Sequence, residues 1–148
     1  IPVQQINVPS LIFRLLGNLL GSADIIAQMA DRCYLEKCHE RLYPEFVLGG
    51  IARRRNGDGS EEVVFESADD LVMKTPDFHV VASKRLDESL GGAHRYVQRH
   101  FGGQNLYLEE MDRNLRFAKT VAKKRDVSLL RRRPPRTLCG NSEDDEKS

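Results

Sequence analysis

LIFRLLGNLLGSADIIAQMA, residues 11 to 30, places apolar side chains on two adjoining rows. Leu11, Leu15, Leu19, Ile26 and Met29 make one row; Ile12, Leu16, Leu20 and Ala23 make the other. Steps of three and four residues return to one side of an α-helix, so the rows read as a single broad stripe. Pro9 and Ser10 stand just ahead of it, with Ser10 suited to the N-cap. The spacing predicts a helix over about 9–30, wide enough in its apolar face to sit at the centre of the core. Gly17 and Gly21 each weaken it by roughly 1 kcal/mol against alanine. Their presence predicts close packing by a neighbour, or a break.

Working outward, a second helix is predicted over about 32–48, with Tyr34, Leu35, Cys38, Leu42, Tyr43 and Phe46 inward. Pro44 is expected to kink it, and Gly49-Gly50 to end it. Residues 53–62, RRRNGDGSEE, hold two strong turn signals, Asn56-Gly57 and Asp58-Gly59. A short hairpin returning through Val63, Val64 and Phe65 is conceivable there, but a flexible loop over 52–62 is the expectation. Ser67 caps a short helix through Met73, with Asp69 and Asp70 in its first turn. Pro76 opens another that runs to 86 or 90. Gly91-Gly92 turns the chain into a helix over about 93–100. A last helix covers about 106–124, with Leu108, Met111, Leu115, Ala118 and Ala122 inward. No repeat or useful strand alternation is present. The class is all-α: a helical bundle over 1–130 and a disordered tail over 131–148, where arginine, proline and acid replace core formers.

With 148 residues the chain fits one domain plus tails. A net charge of +1 excludes a bulk electrostatic pull toward nucleic acid or membrane. Cys33, Cys38 and Cys139 are odd in number and lack paired spacing, which speaks against a disulfide framework and for a reducing cytoplasm. Residue 1 is isoleucine, and the opening IPVQQINVPS carries neither a basic n-region nor a small-residue cleavage site. The expectation is a chain that begins inside a longer protein. The apolar stretch over 11–26 is interrupted by Arg14, Asn18 and Asp24, and reads as too short and too polar for a bilayer.

Asp24 is the residue that calls for chemistry. On a helical wheel it shares a face with Gly17, Leu20, Ala27 and Asp31. A carboxylate in an apolar wall is costly unless a metal, an arginine or a strong hydrogen-bond donor meets it. Asp31 lies about 10 Å further along the axis, too far for one ion to be held by both. A salt bridge with Arg32 or Lys37 suits it better. Gln28, one turn from Asp24, can orient that carboxylate or be a satisfied amide.

The string GSADIIAQMADRCYLEKCHERLYPEF, residues 21–46, resembles the segment that carries the last metal-ligand aspartate in a bacterial group of HD-domain phosphohydrolases. KTPDF, KRLDESLGG, RYVQRHF and NLYLEEMDRNLRF resemble that group's C-terminal helices. The resemblance runs over roughly residues 11–122. It implies the C-terminal portion of an HD-type domain and a divalent ion (Mn, Mg, Fe, Ni and Zn are not distinguished). In such proteins the ion is held by a histidine, a His-Asp pair and a final aspartate, and it activates water against a phosphoryl group. Asp24 matches the final aspartate. No His-Asp dipeptide occurs, and no histidine precedes His39. The resemblance therefore implies further ligands upstream of residue 1, a phosphate ester or nucleotide as substrate, and no activity for this chain by itself.

Lys84, Arg85, Arg95 and Arg99 are candidates for phosphate contact, with a solvated helix face as the plainer alternative. His39 is expected to be a partly exposed helical histidine. His94 and His100, six apart, do not form an i, i+4 metal pair, and His79 stands alone. No phosphate-cradling glycine loop, GxSxG elbow or Cys-His nucleophile pair is evident. A helical nucleotide-sensing or protein-interaction module of HD ancestry without catalysis is the competing reading, and a plain structural helical domain a third.

Overall fold

The computed structural model of the chain describes residues 5–134. It is mostly helical, 67% helix against 5% strand, and therefore all-α. The helix predicted over 9–30 is α1 (Leu11–Met29). A tight corner leads to α2 (Tyr34–Lys37), a π-helical turn (Cys38–Leu42) and α3 (Tyr43–Leu48). β1 (Arg53–Arg55) pairs antiparallel with β2 (Glu61–Val63). Then come α4 (Ala68–Lys84), a second π-helical turn (Arg85–Ser89), a 3₁₀ turn (Ala93–Tyr96) and α5 (Val97–His100). α6 (Leu106–Lys124) and a 3₁₀ turn (Val127–Leu129) complete the described chain.

α4 packs mainly on α6, while α1 lies against α6 and the Ala93–Tyr96 turn. Two apolar clusters result. Leu35, Cys38, Ala52, Phe65, Leu71, Val72, Ala118 and Val121 form the larger. Phe65 is its hinge, with ring centroids 5.6 Å from both Phe46 and Phe78. Ile26, Met29, Leu86, Leu90 and Met111 form the second, under the C-terminal half of α1. Each fully buried leucine or valine contributes about 1.5–3 kcal/mol.

α1 departs from its expected place. It buries only Ser22, Ile26 and Met29, while Leu11, Ile12, Phe13, Leu15, Leu16 and Leu20 are exposed. The domain covers one narrow side of the helix near its C-terminal end. The N-terminal half is apolar over most of its circumference, Arg14 and Asn18 apart, yet largely uncovered, an arrangement that globular helices otherwise bury. By length and composition its 19 residues suffice to cross a bilayer, more than the reading of 11–26 allowed, although Arg14 and Asp24 lie within it. Ser10 occupies the N-cap position in extended backbone, but its side chain makes no capping bond. Of the two helical glycines, Gly21 answers to close packing: a Cβ there would stand 3.1 Å from Leu90 Cδ2. Gly17 faces open space.

Pro76 does not open a helix. It lies inside α4, which runs unbroken from Ala68 to Lys84. An interior proline costs roughly 3 kcal/mol, and burial of Leu71, Val72, Thr75 and His79 on the same helix offsets it. Ser67 caps α4 as expected, accepting from the Asp70 amide at 3.1 Å. Pro44 follows the first π-helical turn rather than a kink in a plain α-helix. The wider turn gives room where a proline ring would crowd the carbonyl four residues back.

The loop expected over 52–62 instead carries the β1–β2 hairpin, its return strand at Glu61–Val63. Asp58 closes its tip by accepting from the Ser60 amide at 2.9 Å and hydroxyl at 2.6 Å. Ala52 anchors its base, its carbonyl receiving the Val64 and Phe65 amides. The first residues of the segment expected to be a disordered tail make contacts with the domain. The Arg132 amide donates to Glu36 Oε1 at 3.2 Å, its guanidinium donates to the Arg32 carbonyl, and Arg133 O stands 3.8 Å from Cys33 Sγ. The rest of that expectation, residues 135–148 with Cys139, lies outside the described residues.

Candidate functional site

Asp24 is on α1, one turn from Gln28, whose Nε2 donates to Asp24 Oδ1 at 2.9 Å. The pairing expected of Gln28 is therefore present. The inward orientation expected of Asp24 is not: its side chain is exposed. The wheel grouped it correctly with Gly17, Leu20 and Ala27, and all of these are exposed with it. That face is the one α1 turns away from the domain. Ser22, Ile26 and Met29, on the other side, make the packing contacts.

Asp31 is held as a structural carboxylate. Oδ1 accepts from the Cys33 amide at 2.7 Å and Oδ2 takes the Lys37 ammonium. Partial burial by itself raises its pKa, but Lys37 and the Cys33 amide outweigh that and hold it below the ordinary aspartate range. These bonds form the corner between α1 and α2. Asn114, buried on α6, fixes the corner from beneath by donating to the Met29 and Asp31 carbonyls, each at 2.8 Å. An uncapped helix C-terminus leaves carbonyls without partners, and this amide supplies them.

A cavity of about 320 Å³ opens beside the corner, with Ala27, Gln28, Tyr34, Lys37, Cys38 and Arg41 among its walls. Its floor is part of the first π-helical turn. Burial pushes the Tyr34 hydroxyl well above the usual tyrosine range and the Cys38 thiol up to about 11, and the two side chains are hydrogen-bonded to each other. Cys38 is therefore a protonated thiol at neutral pH, not a nucleophile.

The expected basic lip is split. Arg95 and Arg99 line a shallow cavity of about 280 Å³ with Gly91, Gly92 and Tyr96, and neither Lys84, Arg85 nor Asp24 belongs to its walls. Arg95 is paired with Asp87 at 2.6 Å, and Lys84 stands 3.8 Å from Glu88 one turn on. Lys84, Arg85, Arg95 and Arg99 are all solvent-exposed. His39 is half-exposed and meets Asp69 at 2.8 Å.

Among the described residues no group of three or more His, Cys, Asp or Glu side chains could hold a metal ion. Asp24 with its Gln28 partner is a single donor, and these residues do not fit an ion by themselves. Asn114 and the two π-helical turns escaped the sequence reading. The signal for Asn114 was a polar residue three and four positions from Met111 and Ala118 on the inner stripe of a helix. No family model matches the chain, and neither a curated protein nor a solved structure matches it.

Proposed function

We propose that the chain is the C-terminal portion of an HD-type, metal-dependent phosphohydrolase acting on a phosphate ester or nucleotide, with Asp24 as one ligand to a divalent ion. The observation that supports this reading is a carboxylate oriented by Gln28 on an uncovered apolar helix face. A solvated salt-bridge residue has no need of apolar neighbours such as Leu16 and Leu20. A carboxylate that meets a metal delivered by another segment does, because covering that face would exclude water and strengthen the interaction. The remaining donors come from outside the described residues, and residues 1–148 alone are expected to be inactive.

The test is an assay of the intact protein with manganese and with generic phosphomonoester and phosphodiester substrates. Asp24→Ala abolishes turnover while helix content by circular dichroism stays unchanged. Full activity in that variant removes Asp24 from the site; a large loss of helix content assigns it a structural role. The uncovered stripe itself favours a second reading, a non-catalytic nucleotide-sensing or protein-interaction module of HD ancestry. An intact protein without metal-dependent turnover, but with a partner that protects Leu16 and Leu20 from labelling, would select it.

A further inference from the structure

A separate cavity of about 210 Å³ has walls from α4, the Arg85–Ser89 turn, the Ala93–Tyr96 turn and α6. It gathers side chains that the proposed function does not use. His79, only 6% exposed, lies with Nε2 3.1 Å from the Met111 carbonyl oxygen. A carbonyl can only accept, so the proton is on Nε2 and Nδ1 is left as an acceptor. Ser83 Oγ, 3.5 Å away, is at the limit of reaching that nitrogen. His94, 5% exposed, has a buried Nδ1 with no hydrogen-bond partner. Its Nε2 is 3.8 Å from Asp87 Oδ1, beyond a direct hydrogen bond. Burial holds both imidazoles below the ordinary histidine range, helped by Lys119 at His79 and Arg95 at His94, against smaller opposing pulls from the Met111 carbonyl and then Asp112 on His79, and from Asp87 and the Leu86 main chain on His94. Both are therefore neutral at pH 7. Asp112 is exposed and Asp87 is already engaged by Arg95 at 2.6 Å. Leu86, Leu108 and Met111 supply apolar wall.

The cavity thus offers acceptors and negative charge beside an apolar surface. An anion would meet the Asp112 carboxylate, the one carboxylate of the cavity not already paired with Arg95. A metal ion would need three donors already grouped around it, which the described residues do not provide. We propose that this cavity binds a small organic ammonium ion, its N–H groups donated to the Asp112 carboxylate and an imidazole nitrogen, its alkyl part lying on Leu86, Leu108 and Met111.

The test titrates the full chain with n-butylammonium chloride, and in parallel with sodium butyrate and n-butanol, while the His79 and His94 ring signals are followed by NMR. Saturable shifts with butylammonium alone are expected. Asp112→Asn, an exposed substitution, should raise the dissociation constant about tenfold through loss of one charge-assisted hydrogen bond, with the thermal midpoint unchanged. Equal shifts from n-butanol would reduce the cavity to an apolar hollow and overturn the proposal, as would absence of saturation with butylammonium. Stoichiometric zinc binding that displaces butylammonium from the same ring signals would overturn it in favour of a metal site.

Discussion

The side-chain amide of Asn114 reaches the main-chain oxygen of Met29 at 2.8 Å, and that of Asp31 at the same distance. One polar residue on α6 thereby fixes the last turn of α1 and the first residues of the corner beyond it. Asp24 and Gln28 lie within that last turn and a half. Their placement relative to the domain depends on Asn114 more than on any apolar contact of their own, since both are exposed.

Asn114→Ala should therefore destabilise the chain by about 1–3 kcal/mol, because the Met29 carbonyl loses its side-chain donor while the Asp31 carbonyl keeps the Tyr34 amide at 2.9 Å. Urea unfolding followed by circular dichroism measures it. Asp24→Ala in the same assay should stay within about 0.5 kcal/mol of the parent, as expected of an exposed position. A loss below about 1 kcal/mol for Asn114→Ala would mean that solvent replaces the amide.

The two glycines of α1 should respond in opposite senses to alanine. Gly17→Ala gains helix propensity of roughly 1 kcal/mol with nothing within 4 Å of the new methyl group. Gly21→Ala makes the same local gain but drives Cβ to 3.1 Å from Leu90, which is 2% exposed. Overpacking costs about 1–3 kcal/mol, so the net effect there is neutral to destabilising. Thermal midpoints of the two variants decide the matter.

Period and punctuation made much of this fold legible. α1, the run from Tyr34 to Leu48 and α6 stand close to where apolar spacing predicts them, and Lys37 takes Asp31 as its charge suggests. What spacing does not reveal is which part of an apolar stripe the rest of the chain will cover. The stripe of α1 was broad enough to read as central, and only its Ile26–Met29 end is packed. The same holds for Asp24: spacing places it on the correct face, but that face is open. Pro76 stands inside a helix because burial of Leu71, Val72 and His79 on either side of it outweighs its local propensity to start one. The cavity containing His79 and His94 depends on a tertiary meeting of α4 and the Ala93–Tyr96 turn, which single-residue reasoning treats as two unrelated histidines.

Stability should form a plateau bounded on each side by buried groups. On the acid side, His79 and His94 have pKa values lowered from 6.5. The unfolded chain binds protons first, so their contribution is complete above pH 6.5 and fades as pH falls. On the alkaline side, Cys38 is raised from 9.0 to about 11 and Tyr34 is raised from 10.0. Their contribution is complete below pH 9 and fades as pH rises through the folded values. Urea midpoints between pH 5 and pH 11 measure both limbs. His79→Gln with His94→Gln should flatten the acid limb, and Cys38→Ser should move the onset of the alkaline limb toward the tyrosine range.

The open stripe of α1 gives a final, sharper expectation. Leu16 and Leu20 are 56% and 75% exposed, whereas Leu71 is fully buried. Leu16→Lys and Leu20→Lys should leave unfolding free energy within about 0.5 kcal/mol of the parent, while Leu71→Ala lowers it by about 2–5 kcal/mol. The same lysines should diminish binding of a hydrophobic dye such as ANS, because a contiguous apolar patch loses its centre. Unfolding caused by either lysine would show that the stripe is packed against the domain after all. It would also return Asp24, one turn beyond Leu20, to the interior, where a carboxylate without a charged partner is not tolerated.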